Sequence, residues 1–194
     1  MGVILNVCHI WIVGLWMVML VYWAIAAIFA RRETDGRGLP GGLITRFGLF
    51  AAIFVVAMVA RRSSEMQALQ LSELNSVPDA IAGAVIATLG AAAAFWARAT
   101  IGRNWGSPAT RKTGTELVTS GPYRLVRHPI YSAVLFMMIG TAIALWPVWW
   151  VVTVAAGVYF ILSARAEERF MTSRFPVDYP AFRARTKMFV PFIF

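Results

Sequence analysis

Leu117-Val118-Thr119-Ser120-Gly121-Pro122-Tyr123-Arg124-Leu125-Val126-Arg127-His128-Pro129-Ile130-Tyr131 forms a polar island between two apolar blocks. Almost everything before Arg98 is apolar, and so is almost everything from residue 131 to 164. The island carries His128, one of the two histidines in the chain. Pro129 suits the first turn of a following helix, where its missing N–H costs nothing. His128, directly before it, is biased to an extended backbone and stands at that helix's mouth. Unpaired N–H groups and a partial positive charge at such an end receive a carboxylate or a ring nitrogen. Chemistry is expected here.

Outward from the island, composition sets the class. With 59% hydrophobic residues against 14% charged, and a mean hydropathy of +0.68, an ordinary soluble domain is excluded. Apolar runs long enough to cross a bilayer recur, so the expected fold is an all-α polytopic membrane protein. Residues 3–30 are apolar throughout and follow no charged leader, which argues for a membrane helix rather than a cleaved signal. The net charge of +9 is split among the ends of apolar runs, a pattern suited to anionic lipid and not to nucleic acid. Cys8 is the single cysteine, so no internal disulfide forms, and no Cys/His cluster has metal-ligand spacing.

Five apolar segments are expected. The first covers residues 3–30 and stops at Arg31-Arg32; a Gly/Pro-rich connector, residues 35–42, reads as a tight turn rather than a phosphate cradle. The second covers residues 43–60. Residues 63–77 space Met66, Leu69, Leu71, Leu74 and Val77 roughly as an interfacial amphipathic helix does. The third segment, residues 80–97, is rich in Ala and Gly, so it should lie centrally, where small residues let helices approach closely. Residues 98–130 read as a polar loop. The fourth segment, 131–145, spans only about 22 Å at 1.5 Å per residue, and Trp146-Pro147 turns the chain into the fifth, 148–166. Residues 1–97 thus form an N-terminal set of helices, and 98–194 a catalytic half of loop, helical hairpin 131–166 and aromatic tail.

Orientation follows from the basic residues. If connections 31–46, 98–127 and 165–187 are cytoplasmic, 16 of the 18 Lys and Arg lie inside and 2 outside. The N-terminus is then external, and the island shares the cytoplasmic side with the tail. That brings Arg127, His128, Tyr123 and Tyr131 near Glu167 and Glu168, two adjacent carboxylates that end an apolar helix and need partners or water. They point about 100° apart, so at most one should face a given site. The plainer reading pairs both with Arg165 or Arg169.

The island, the Glu167-Glu168-Arg169-Phe170 run, and Phe175-Pro176-Val177-Asp178-Tyr179 with its basic, aromatic continuation resemble the isoprenylcysteine carboxyl methyltransferase family. The resemblance covers residues 98–194, half the chain. It implies an integral membrane enzyme that uses S-adenosylmethionine and leaves S-adenosylhomocysteine. It further implies that Thr115, Glu116, Leu117, Val118, Gly121, Tyr123, His128, Pro129, Ile130, Tyr131 and Glu167 bind the cofactor, with Glu167 as its acidic ligand. Tyr123 or Tyr131 would offer a ring face to the sulfonium. Members acting on prenylcysteine carry an arginine four residues before the first glutamate; here that position is Ser163, which leaves Arg165 or Arg103 to hold a substrate carboxylate.

The residues agree with such a cofactor site in one respect. No GxGxxG motif follows a strand, and the polar stretches are too short for a Rossmann domain, so any pocket must be assembled from the island, the hairpin and the tail. The implied acceptor is a lipophilic or lipidated molecule entering from the bilayer of a prokaryotic cell membrane, with membrane lipids as partners. A carboxylate acceptor is already ionised at neutral pH and needs no base, whereas an amine would call on His128. The rivals are a lipid N-methyltransferase of similar build and a non-catalytic lipid-binding membrane protein. His9 reads as a packed or interfacial histidine, the nine Met and eight Trp as packing and anchoring, and Asn104-Trp105 as a substrate contact or loop anchor.

Overall fold

The computed structural model describes residues 2–32, 76–105, 116–145 and 148–193, and among them the fold is all-helical. The helices are α1 (Gly2–Arg32), α2 (Val77–Ile101), α3 (Pro129–Leu145), α4 (Val148–Arg174) and α5 (Asp178–Arg185), with short 3-10 turns at Gly102–Asn104 and Gly121–Arg124. The chain is a polytopic membrane protein: α1, α2 and α4 contain stretches long and apolar enough to cross a membrane, and α3 is a shorter apolar helix. In hydrocarbon a helix is the one linear structure that satisfies its own backbone, so uninterrupted apolar runs fold this way. The expected second segment (43–60), the connector before it (35–42), most of the interfacial helix (63–77) and the Trp146-Pro147 turn lie outside the described residues.

The side chains show which faces meet lipid. On α1, Ile12, Trp16, Met19 and Trp23 turn inward at helical spacing, while Val3, Val7, Ile10, Val18 and Val21 are exposed. Ile81, Val85 and Leu89 on α2 and Val151, Val154, Val158 and Leu162 on α4 repeat the pattern. Large aliphatic groups at i and i+4 on an outer surface fit a hydrocarbon solvent.

The centre is the seam between α2 and α3. Gly83, Ala87, Gly90, Ala91, Ala94 and Ala97 are buried along α2, against Ala133, Met137, Gly140, Thr141 and Ala144 of α3. The backbones come so close that a methyl on Gly90 would fall 2.5 Å from the Met137 backbone nitrogen, and one on Gly140 would fall 2.5 Å from that of Ala87. Buried polar groups here are paired locally: Thr141 donates to the Met137 carbonyl at 2.9 Å and receives the Trp16 indole N–H at 3.1 Å. His9 Nε2 lies 3.1 Å from the Ala144 carbonyl, one of the oxygens that the end of α3 leaves without a helical partner. Contacts of Trp11 with Thr88 and of Trp23 with Phe95 set α1 running in the same direction as α2.

Three element bounds differ from expectation. α2 begins at a Ser76 cap, whose hydroxyl accepts the Asp79 N–H, and runs on to Ile101, so Arg98 is helical rather than part of a loop. The stop is Gly102, whose φ of 51° favours glycine. α4 continues to Arg174; its 27 residues span about 40 Å, beyond a hydrocarbon core of about 30 Å, so its last turns project past the apolar layer. Trp149, in the first turn of α4, is buried in the core.

Candidate functional site

The last turns of α4 carry Glu167 and Glu168 to the end of the bundle where α2 stops and α3 starts. Pro129 is the first residue of α3, buried, and His128 precedes it. What holds the island there is the tail. Val126 pairs with Lys187 in an isolated parallel bridge, the Arg127 N–H donates to the Lys187 carbonyl at 2.8 Å, and the His128 N–H donates to that of Met188 at 3.1 Å. Ser132 Oγ extends the link by donating to the Phe189 carbonyl at 2.7 Å. At the other end Gly121, with φ of 56°, packs its α-carbon against the Thr100 side chain. The island is therefore clamped between α2, α3 and the tail.

Glu168 is the buried carboxylate. Arg127 Nε donates to its Oε1 at 2.6 Å, His128 Nε2 lies 3.4 Å from that same oxygen, and the exposed Arg183 reaches Oε2 at 3.6 Å. Arg127 also donates from Nη1 to the Thr186 carbonyl, joining island, α4 and tail in one contact set. Glu167 is more accessible, with its side chain 21% exposed. It accepts the Tyr131 hydroxyl at 2.6 Å, and its Oε2 stands 3.6 Å from His128 Nδ1.

The two glutamates were expected to diverge, with at most one at the site. The structure brings both to His128, because an imidazole offers nitrogens on two edges and each edge meets one carboxylate. Arg165 and Arg169, the partners of the plainer reading, are both exposed.

Aromatic rings line the other side. Tyr131 stacks on Phe160 with centroids 4.7 Å apart and on His128 at 5.6 Å, and Phe189 meets both Tyr131 and His128 edge-on. Tyr123 is buried below the island, and burial pushes its phenol up; nearby Arg98 opposes this and Glu167 adds to it. Tyr179 is raised likewise by burial, with Glu168 adding to the effect. Both phenols are thus neutral hydroxyl groups at physiological pH.

Of the residues singled out in the sequence, Tyr123, His128, Pro129, Tyr131 and Glu167 come together at this end, with Ile130 half-buried beside them and Gly121 at the island's start. Leu117 and Val118 are half-buried without regular structure. Glu116 is exposed, and its N–H donates to Asn104 Oδ1 at 3.2 Å, so Asn104 anchors the loop. Thr115 lies outside the described residues, and Arg103 falls in the Gly102–Asn104 turn. Arg165 is exposed on α4, whereas Ser163 is buried.

Arg127 and Glu168, expected near one another, form the closest charged pair of the site. One contributor escaped the sequence reading: Arg98 lies over the buried Trp105, its Cζ 4.4 Å from the ring centroid. An arginine set in the last turn of an apolar Ala-rich run is the signal that would have found Arg98. Among the described residues no three His, Cys, Asp or Glu side chains group as a metal site.

Comparison with known proteins points the same way as this geometry. The phospholipid methyltransferase family model matches residues 79–177, from the first turn of α2 to just past α4. The cobalt-zinc-cadmium resistance protein CzcN of Cupriavidus metallidurans is similar over 97 residues at 37% identity, covering 48% of this chain. The chain covers 44% of that relative's own length. No solved structure matches it.

Proposed function

Because this chain belongs to the phospholipid methyltransferase family, we propose that it is an S-adenosylmethionine-dependent methyltransferase of the membrane, acting on the polar head of a lipophilic acceptor. The favoured head is a carboxylate, as the isoprenylcysteine carboxyl methyltransferase resemblance implies. One observation carries that choice over an amine. Both ring nitrogens of His128 already face glutamate oxygens, at 3.6 and 3.4 Å, and Nε2 is buried. A general base must reach the proton it removes, and both nitrogens of this ring already lie against carboxylates. A carboxylate needs no base.

The residues present fit the cofactor. Glu167 is a partly exposed carboxylate suited to the amino group or ribose hydroxyls, and Tyr131 supplies a hydroxyl beside it, with Tyr123 buried in the island. When bound, S-adenosylmethionine supplies an electrophilic methyl group on a sulfonium. His128 and Tyr131 hold Glu167 from two sides and fix its direction. The Tyr131, Phe160 and Phe189 rings exclude water from the space beside it, which favours attack of an anion on a cation because charge is lost on the way. Alignment is then the chain's main task. The 16-to-2 charge split supports a cytoplasmic position for this end, in a prokaryotic cell membrane.

A second reading, methylation of a phospholipid amine, is favoured by the matched family's description. Membranes containing the protein, incubated with methyl-labelled cofactor, separate the two. Base-labile label in the lipid fraction is the expected ester. Base-stable label on an amine head group would transfer the assignment to the phospholipid, and no label in any lipid would end the methyltransferase reading.

A further inference from the structure

Ion pairs at the polar end run from Glu167 and Glu168 to Arg127, His128 and Arg183, and among the described residues none includes Arg98. Yet Arg98 is half-buried, near the end of α2. Its guanidinium has two partners. It lies against the Trp105 ring, and Nη1 donates to the Gly102 carbonyl at 3.0 Å. Nε is buried and has no hydrogen-bond partner. A charged group at a membrane boundary is costly without a counter-charge, and charged residues there pair with one another or mark a ligand path.

Two phenols stand near the guanidinium. Tyr22 of α1 and Tyr123 of the island are both within electrostatic reach of Arg98, and Tyr123 is within reach of Glu167 as well. Geometry agrees: Gly121, in the same turn as Tyr123, lies against the Thr100 side chain, just past Arg98 on α2. An arginine fork matches a carboxylate in two-point fashion, which a lysine ammonium does not. Of the two arginines that the sequence offers for an acceptor carboxylate, Arg165 is exposed on α4, and the side chain of Arg103 lies outside the described residues.

We propose that Arg98, braced by Trp105 at the end of α2 beside the island, is the residue that recognises the carboxylate of the lipophilic acceptor. This rests on the carboxylate reading above and supplies the specificity residue that Ser163 leaves missing. Acceptor head and cofactor then meet beside the island, the acceptor from the end of α2 and the cofactor from Glu167.

The test uses the detergent-solubilised full chain titrated with palmitate, hexadecanol and hexadecyl phosphate, and separately with S-adenosylhomocysteine. Palmitate should bind at least about tenfold tighter than hexadecanol. Arg98→Gln should abolish that preference, and Arg98→Lys should retain part of it, while affinity for S-adenosylhomocysteine stays within about twofold of the parent. The proposal is overturned if the parent shows no palmitate preference, if Arg98→Gln keeps it, or if hexadecyl phosphate binds best, which would make the site one for phosphate head groups. Equal loss of S-adenosylhomocysteine binding in both variants would place Arg98 on the cofactor and likewise overturn it. An Arg98-dependent palmitate preference in a parent that does not bind S-adenosylhomocysteine would sustain this site and sink the methyltransferase reading instead.

Discussion

The seam between α2 and α3 and the polar closure at its end secure the same pair of helices by opposite means. Along the seam nothing is charged, and the helices touch through glycine and alanine; dispersion between close backbones does the work, since lipid gives no hydrophobic drive for helices to associate. At the closure one buried carboxylate, Glu168, gathers Arg127, His128 and Arg183 from the island and the tail. The seam fails by addition of atoms, and the closure fails by removal of charge. The contrast also separates two neighbours on one helix: Glu168 is enclosed and structural, whereas Glu167, one residue earlier, keeps an accessible carboxylate.

The largest effect should come from the closure. Glu168→Ala leaves Arg127 buried without its counter-charge and should cost about 3–5 kcal/mol, read as a fall in thermal unfolding temperature in detergent. A loss under 1 kcal/mol would mean that the backbone links to residues 186–189 suffice alone. Next is the seam. Gly90→Ala sets a methyl against Met137 backbone, which cannot rotate away, and should cost about 1–3 kcal/mol by the same measurement. An unchanged midpoint would show that α2 and α3 slide apart freely. Smaller again is Ser132→Ala, which removes the donor to the Phe189 carbonyl and should cost about 1 kcal/mol, accompanied by faster amide exchange at residues 187–189. The smallest concerns the far end: His9→Ala should cost about 0.6 kcal/mol, typical of a hydrogen bond between membrane helices, and leave the polar end untouched.

Much of this architecture was legible in the residues. Apolar runs ending in arginine marked the helices, the Ala/Gly content of residues 80–97 marked the central one, and Pro129 marked the start of α3. His128, Tyr131 and Glu167 were named from chemistry plus resemblance, and the structure brings them within contact of one another. What stayed hidden has physical reasons. Pairing of residues 126–128 with 187–188 is made by backbone groups some 60 residues apart and leaves no side-chain periodicity to read. A single charge looks like a boundary, so Arg98 reads with the loop, although Ala99 and Thr100 continue the helix to Ile101. The glutamates were judged by helix geometry alone, which cannot foresee a histidine ring inserted between their carboxylates.

Membership of the phospholipid methyltransferase family raises one question above the rest, whether Glu167 and His128 hold the cofactor. The most direct measurement is calorimetric titration of S-adenosylhomocysteine into the purified protein in detergent, for the parent, Glu167→Ala and His9→Ala. The parent and His9→Ala should bind alike, and Glu167→Ala should bind more weakly by about 1.5–3 kcal/mol, a factor of roughly 10 to 150. No binding by the parent, or the same loss in both variants, would contradict the account.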